Sequence, residues 1–228
     1  MAFGARPLDG PRLPATRGPA THLVVLCHGY GADGNDLIGL APHWQRLLPT
    51  VSFVAPNAPE PCAAGPGYQW FPISRLDPGA MRQGVAAAAG SLERFLDSEL
   101  ARANLPVERL ALVGFSQGTM MALHVGLKKK PAAIVGYSGL LADEPAPLTD
   151  APPVLLVHGD SDPMIQPEFM FTSAAALGRA GVAVQWHVSP GTPHAIDPSG
   201  LALGGVFLSL AFRGLLRPGE GEISCPVD

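Results

Sequence analysis

Short, almost wholly apolar runs separated by longer amphipathic stretches restrict this chain to very few architectures. "LVVLC" (23–27), "VSFVA" (51–55), "LALVGF" (110–115), "AAIVGY" (132–137), "PVLLVH" (153–158) and "VAVQWHV" (182–188) read as strands. Most are continuously apolar and do not alternate, which marks strands covered on both faces, as in parallel sheets. Helical patterns fall between them at about 35–48, 80–103, 116–130, 167–180 and 199–216. In 80–103, Met81, Val85, Ala88, Leu92, Phe95, Leu96 and Leu100 recur at three- and four-residue steps and form one stripe. Repeated strand–helix–strand units predict an α/β fold with a mostly parallel, doubly wound central sheet flanked by helices.

The alternation runs through 21–216 without an internal repeat or a second boundary, so a single domain is expected there. An N-terminal extension (1–20) could join the first edge strand, and 217–228 reads as a polar tail. Hydrophobic residues make up 47% and charged residues 15% of the 228, a globular composition. A net charge of −4 offers no basic face for nucleic acid. Lys128, Lys129 and Lys130 stand together before Pro131 and read as the cationic end of the 116–130 helix.

The three cysteines form no complete disulfide framework and lack metal-ligand spacing, so neither a metal nor a cofactor is expected. No apolar run reaches membrane-spanning length, and no apolar h-region follows the charged N-terminus. The expectation is a cytoplasmic protein with no integral membrane segment. One connection is unusual: 56–78 holds six prolines around "GPGYQWFPI", with no regular element predicted. Such loops often line sites, although Trp70 and Phe71 could equally plug the core.

Gly114-Phe115-Ser116-Gln117-Gly118 follows one predicted strand and opens a helix. With 27 glycines in the chain, G-x-S-x-G arises by chance in roughly one shuffled sequence in six, so context must decide. In an open parallel sheet, ligands bind beyond the carboxyl ends of the strands, where Ser116 falls. A sharp strand-to-helix turn would force Ser116 into strain and push its hydroxyl outward. The helix N-terminus would offer free N–H groups to an oxyanion.

A serine nucleophile needs a base oriented by a carboxylate. Of seven histidines, His194 in "SPGTPHAIDPSG" alone sits on a Gly/Pro-rich loop after the last strand. His187 lies inside that strand, His43 and His124 in helical patterns, and His22 just before the first strong strand. "PVLLVHGDSDPMI" supplies Asp160 and Asp162 after another strand, and spacing does not choose between them. His28-Gly29-Tyr30-Gly31 follows the first strong strand, so the Tyr30 and Gln117 backbone N–H groups form the natural oxyanion pair.

"LCHGYGADGND", "PNAP", "WF", "GFSQGTMMAL", "SGLL", "HGDSDPMI" and "TPH", in that order, resemble the carboxylesterase/phospholipase family of α/β-hydrolases, which includes acyl-protein thioesterases. The resemblance covers about 23–216. It implies an α/β-hydrolase fold without a separate lid domain, Ser116 as nucleophile, His194 as base, and Tyr30 and Gln117 as oxyanion donors. The family's Gly-x-x-Asp pattern falls on Gly159 to Asp162, making Asp162 the triad acid and Asp160 a spacer. Where the family often reads Trp-Phe-Asp, this chain has Trp70-Phe71-Pro72.

The expected activity is hydrolysis of small-molecule carboxylic esters with small to medium acyl chains, through an acyl-enzyme. Trp70, Phe71 and Met164 are candidate acyl-binding residues. The same site could serve an acyl thioesterase or a lysophospholipase. A non-catalytic hydrolase-fold binding protein would usually lack one of the three catalytic residues, and no peptide subsites are identifiable for a peptidase. The resemblance also allows for a homodimer.

Overall fold

The strand residues alternate between two separate apolar layers. Leu23, Val25 and Cys27 face one cluster while Val24 and Leu26 face the other. Leu112 and Ile134 join the first, and Ala111, Val113 and Val135 the second. Each layer needs a helical cover, because fully burying one such side chain stabilises by about 1.5–3 kcal/mol. This two-sided burial is why the runs are continuously apolar.

The structure is a computed structural model that describes residues 7–62, 65–73 and 77–216. Its strands are β1 (Arg12–Leu13), β2 (His22–Cys27), β3 (Val51–Val54), β4 (Glu60–Pro61), β5 (Tyr68–Gln69), β6 (Leu110–Phe115), β7 (Ala133–Tyr137), β8 (Val154–Gly159) and β9 (Val184–Ser189). The helices are α1 (Gly34–Ile38), α2 (Ala41–Gln45), α3 (Pro78–Ala103), α4 (Gln117–Lys129), α5 (Glu168–Arg179) and α6 (Pro198–Phe212). Seven strands form the main sheet in the order β1-β3-β2-β6-β7-β8-β9. All neighbours are parallel except β1, which pairs antiparallel with β3 at the edge. Residues of α3, α4 and α5 fill one layer, and residues of α1, α2 and α6 fill the other.

Every residue of the expected α3 stripe is buried. Asp77 starts that helix by accepting the Ala80 N–H, and Asn104 ends it in the left-handed conformation. The 35–48 pattern resolves differently, into two short helices, because Gly39 closes α1 and Pro42 stands in the first turn of α2. Within the 56–78 connection, of which 63–64 and 74–76 lie outside the described residues, β4 and β5 pair antiparallel. The tail at 217–228 lies outside the described residues. Arg12 of β1 holds buried Glu99 of α3 by donating from Nε and Nη2 to its two carboxylate oxygens, at 3.1 and 2.8 Å. The lysine run ends α4, where Lys129 pairs with Asp97 and Lys130 donates to the Thr149 carbonyl.

His22 opens β2 against Phe212, with ring centroids 4.2 Å apart, and its Nε2 accepts from Arg109 Nη1 at 2.9 Å. Burial, reinforced by the Arg109 charge, lowers its pKa from 6.5 to about 4. Between those values the unfolded chain binds a proton that the folded chain refuses, so stability falls as pH drops from 6.5 to about 4. Thermal melts across that window should show His22→Gln flattening the decline. An unchanged slope would assign acid destabilisation to other groups.

Candidate active site

Ser116 sits between β6 and α4 at φ +53° and ψ −116°, a conformation few non-glycine residues adopt. Two close approaches impose it. A Cβ on Gly114 would lie 2.4 Å from the Gly118 carbonyl group, and one on Gly118 would lie 1.9 Å from the Cys27 oxygen. Only glycine at both positions lets β6 turn directly into α4 beside the end of β2. Ser116 N–H donates to the Tyr137 carbonyl at 2.9 Å, so β7 holds the turn from the other side.

The loop after β9 carries His194, whose Nδ1 is 2.7 Å from Asp162 Oδ2. Asp162 has its carboxylate fully enclosed, with Oδ1 accepting from the Met164 and Ile165 N–H groups at 2.8 and 3.0 Å. Burial works against its charge, but the Ile165 N–H, His194 and Met164 N–H outweigh burial and lower its pKa below 3.8. The charged carboxylate therefore fixes a proton on His194 Nδ1 and leaves Nε2 as the basic nitrogen. His194 makes no hydrogen bond to Ser116 Oγ. Phe115, the residue before Ser116, packs against His194 with ring centroids 4.9 Å apart.

Asp160 is occupied elsewhere, because its Oδ1 accepts from Gly191 N–H at 2.7 Å and from Ser161 Oγ at 2.9 Å. It braces the loop on which His194 rides. Ser138, buried and at φ +45°, donates from Oγ to the Ala195 carbonyl at 3.3 Å, next to His194 on its other side.

Neither the Tyr30 nor the Gln117 N–H donates to a protein acceptor among the described residues. The Gly29–Tyr30 peptide is held by its other end: His28 Nδ1 donates to the Gly29 carbonyl at 2.7 Å. In a trans peptide the N–H points opposite to the carbonyl, so this bond also aims the Tyr30 N–H. His28 Nε2 accepts from Ala58 N–H at 2.9 Å, which fixes the tautomer. Burial lowers the pKa of His28 below 6.5, partly offset by the Gly29 carbonyl.

The 56–73 segment is tied to both of these loops. Gln117 Oε1 accepts from Trp70 N–H at 2.9 Å, and its Nε2 donates to the Phe71 carbonyl at 2.7 Å. Trp70 Nε1 donates to the His28 carbonyl at 2.9 Å. Gly31 and Ala32 exchange hydrogen bonds with Tyr68. Trp70 and Phe71 are 1% and 2% exposed, hence packed inside, whereas Met164 is 66% exposed.

Residues 8–211 match the family described as Phospholipase/Carboxylesterase. The chain belongs to that family. It is 31% identical over 205 residues to an acyl-protein thioesterase 1 of Gibberella zeae, covering 79% of this chain and 86% of the relative. Esterase YpfH of Escherichia coli is 28% identical over 183 residues, covering 78% of each. The crystal structure of esterase PE8 superposes with a TM-score of 0.83 at 40% identity, covering 92% of this chain and 99% of that one. This member of the phospholipase/carboxylesterase family is thus an α/β-hydrolase of carboxylesterase or acyl-protein thioesterase type, acting on ester bonds. No helix among the described residues is long and apolar enough to cross a membrane.

The sequence reading missed the His28 ring, the Gln117 amide and the Ser138 hydroxyl. The Gln117 and Ser138 side chains act on backbone groups distant in sequence, which leaves no periodic signal, and the His28-Gly29 pair is read for its backbone and not for the ring. Replacing Gln117 by Met would leave the Trp70 N–H and Phe71 carbonyl buried and unpaired, at about 1–3 kcal/mol each. The expected outcome is a clear fall in Tm with reduced kcat/KM, measured by thermal melts and ester kinetics. Wild-type values for both would mean that the clamp contributes nothing.

Proposed function

We propose that this chain is a serine esterase that cleaves carboxylic esters of small to medium acyl chains. The observation that carries the reading is the His194–Asp162 bond of 2.7 Å, with the His194 ring packed on Phe115, the residue before strained Ser116. Ser116 Oγ attacks the ester carbonyl carbon while its proton passes to His194 Nε2. The carbonyl oxygen becomes an oxyanion held by the Tyr30 and Gln117 N–H groups, each such donor being worth about 3–4 kcal/mol in the transition state. The carbon–alkoxide bond then breaks, and His194 returns the proton to the leaving alcohol. Water attacks the acyl-enzyme with His194 as base, and collapse frees the acid and Ser116. Asp162 keeps His194 in the productive tautomer throughout.

The acyl side fits an apolar cleft of about 130 Å³ lined by Met81, Leu140, Leu141, Ala142 and Phe169. Gly139, which precedes Leu140 of this lining, packs on the Ser116 main chain, since a Cβ there would lie 2.7 Å from the Ser116 carbonyl oxygen. The cleft is small beside the roughly 300–1,000 Å³ of sites for drug-sized ligands, which favours short chains. Exposed Met164 serves as an outer wall, and Trp70 and Phe71 support the site from within. Thioester cleavage is the second reading, favoured by the likeness to acyl-protein thioesterases. Both reactions use the same steps.

Hydrolysis of p-nitrophenyl esters of increasing chain length, beside an acyl thioester, tests the substrate class. Turnover should peak at short to medium chains; folded protein that turns over none of these would sink the reading. Ser116→Ala should lower kcat by more than about 10⁴-fold and abolish fluorophosphonate labelling. Persistent labelling would place the nucleophile elsewhere. Asp162→Asn should cost about 10⁴-fold in kcat, whereas Asp160→Asn should stay within about tenfold. The reverse order would exchange the two carboxylates.

A further inference from the structure

His158 is the one polar side chain in the otherwise apolar "VLLVH" stretch of β8, and it is 1% exposed. A polar ring at such a depth is costly unless its atoms are used. Its Nε2 lies 2.8 Å from the Ile165 carbonyl oxygen and 3.1 Å from Asp162 Oδ2. Two acceptors face that nitrogen, so it carries the ring proton. Nδ1 is buried without any partner, a cost incurred for the sake of the other nitrogen.

The contacts close a circuit. Ile165 N–H donates to Asp162 Oδ1, and the Ile165 carbonyl accepts from His158, which also faces Asp162 Oδ2. Asp162 Oδ2 therefore lies between two histidines: His194, carried on a loop, and His158, carried on a strand paired through Val188 to β9. The titratable groups facing Asp162 are these two rings, since Asp160 turns its carboxylate to the Gly191 N–H.

We propose that His158 is a positioning residue of the triad: its Nε2–H, donated to the Ile165 carbonyl, holds the 162–165 turn that cradles the Asp162 carboxylate and brings a partial positive charge to within 3.1 Å of Oδ2. The inference rests on the triad reading given above. The Met164 and Ile165 N–H groups set the rotation of the carboxylate, and His158 anchors the Ile165 residue that carries one of them to strand β8, so Oδ2 is presented to His194 from a fixed support. Through its partial positive charge, His158 also limits how strongly Asp162 retains a protonated His194.

The test compares two neutral amides that reach different points of the ring. In His158→Gln the amide nitrogen falls near the Nε2 position, and in His158→Asn near Nδ1. His158→Asn should lower kcat about tenfold with KM within about twofold, the loss expected when one buried hydrogen bond that positions the triad acid is removed. It should also move the acid limb of the kcat/KM–pH profile upward, because the less compensated carboxylate favours protonated His194. His158→Gln should restore both to near wild type. A kcat and acid limb unchanged in the Asn variant, or equal losses in the two variants, would overturn the proposal. Wild-type enzyme inactive on every ester and thioester would instead overturn the triad reading beneath it.

Discussion

The approach of Gly118 to the Cys27 carbonyl is the contact on which the rest of the site depends. It seats the first turn of α4 against the carboxyl end of β2, with no room for a methyl group. The chain leaving β2 is His28-Gly29-Tyr30, so the loop that carries the Tyr30 N–H starts where α4 meets the sheet. Any side chain at 118 would push α4 from the sheet and away from that loop. The strain at Ser116 follows from the same approach, since a relaxed turn would need more length between β6 and α4.

Around that contact the protein spends buried polar groups on orientation. The His28 ring sets a peptide, the Gln117 amide sets a loop, and Ser138 and Asp160 hold the His194 loop from both sides. In an apolar interior such groups are costly if unpaired and directional if paired. Each here holds a backbone group that no apolar side chain could hold.

The sheet, the α3 stripe and the edge location of Ser116, His194 and Asp162 were legible because period, strand ends and spacing encode them. Asp160 and Asp162 could not be separated by spacing; the difference lies in which loop N–H groups each meets. The hairpin at Glu60–Pro61 and Tyr68–Gln69 was illegible for another reason: two-residue strands carry no period, and their pairing is imposed by the loop after β2. Trp70 and Phe71 read as either substrate wall or core plug; they are buried in the layer shared with α3 and also line a cavity with Pro59 and Pro72. His158 was hidden inside a strand, where one polar residue in a short run signals nothing about its partner.

The Gln117 clamp has an evolutionary consequence. It grips the main chain at 70 and 71, and is blind to the side chains those positions carry. Beyond Trp70, whose ring also donates to the His28 carbonyl, the sequence of that loop can therefore drift, as the proline at 72 illustrates, without loosening the grip of Gln117. A protein built this way can remodel what it accepts while the chemistry beneath stays put, keeping substrate choice and catalytic power on separate mutational paths.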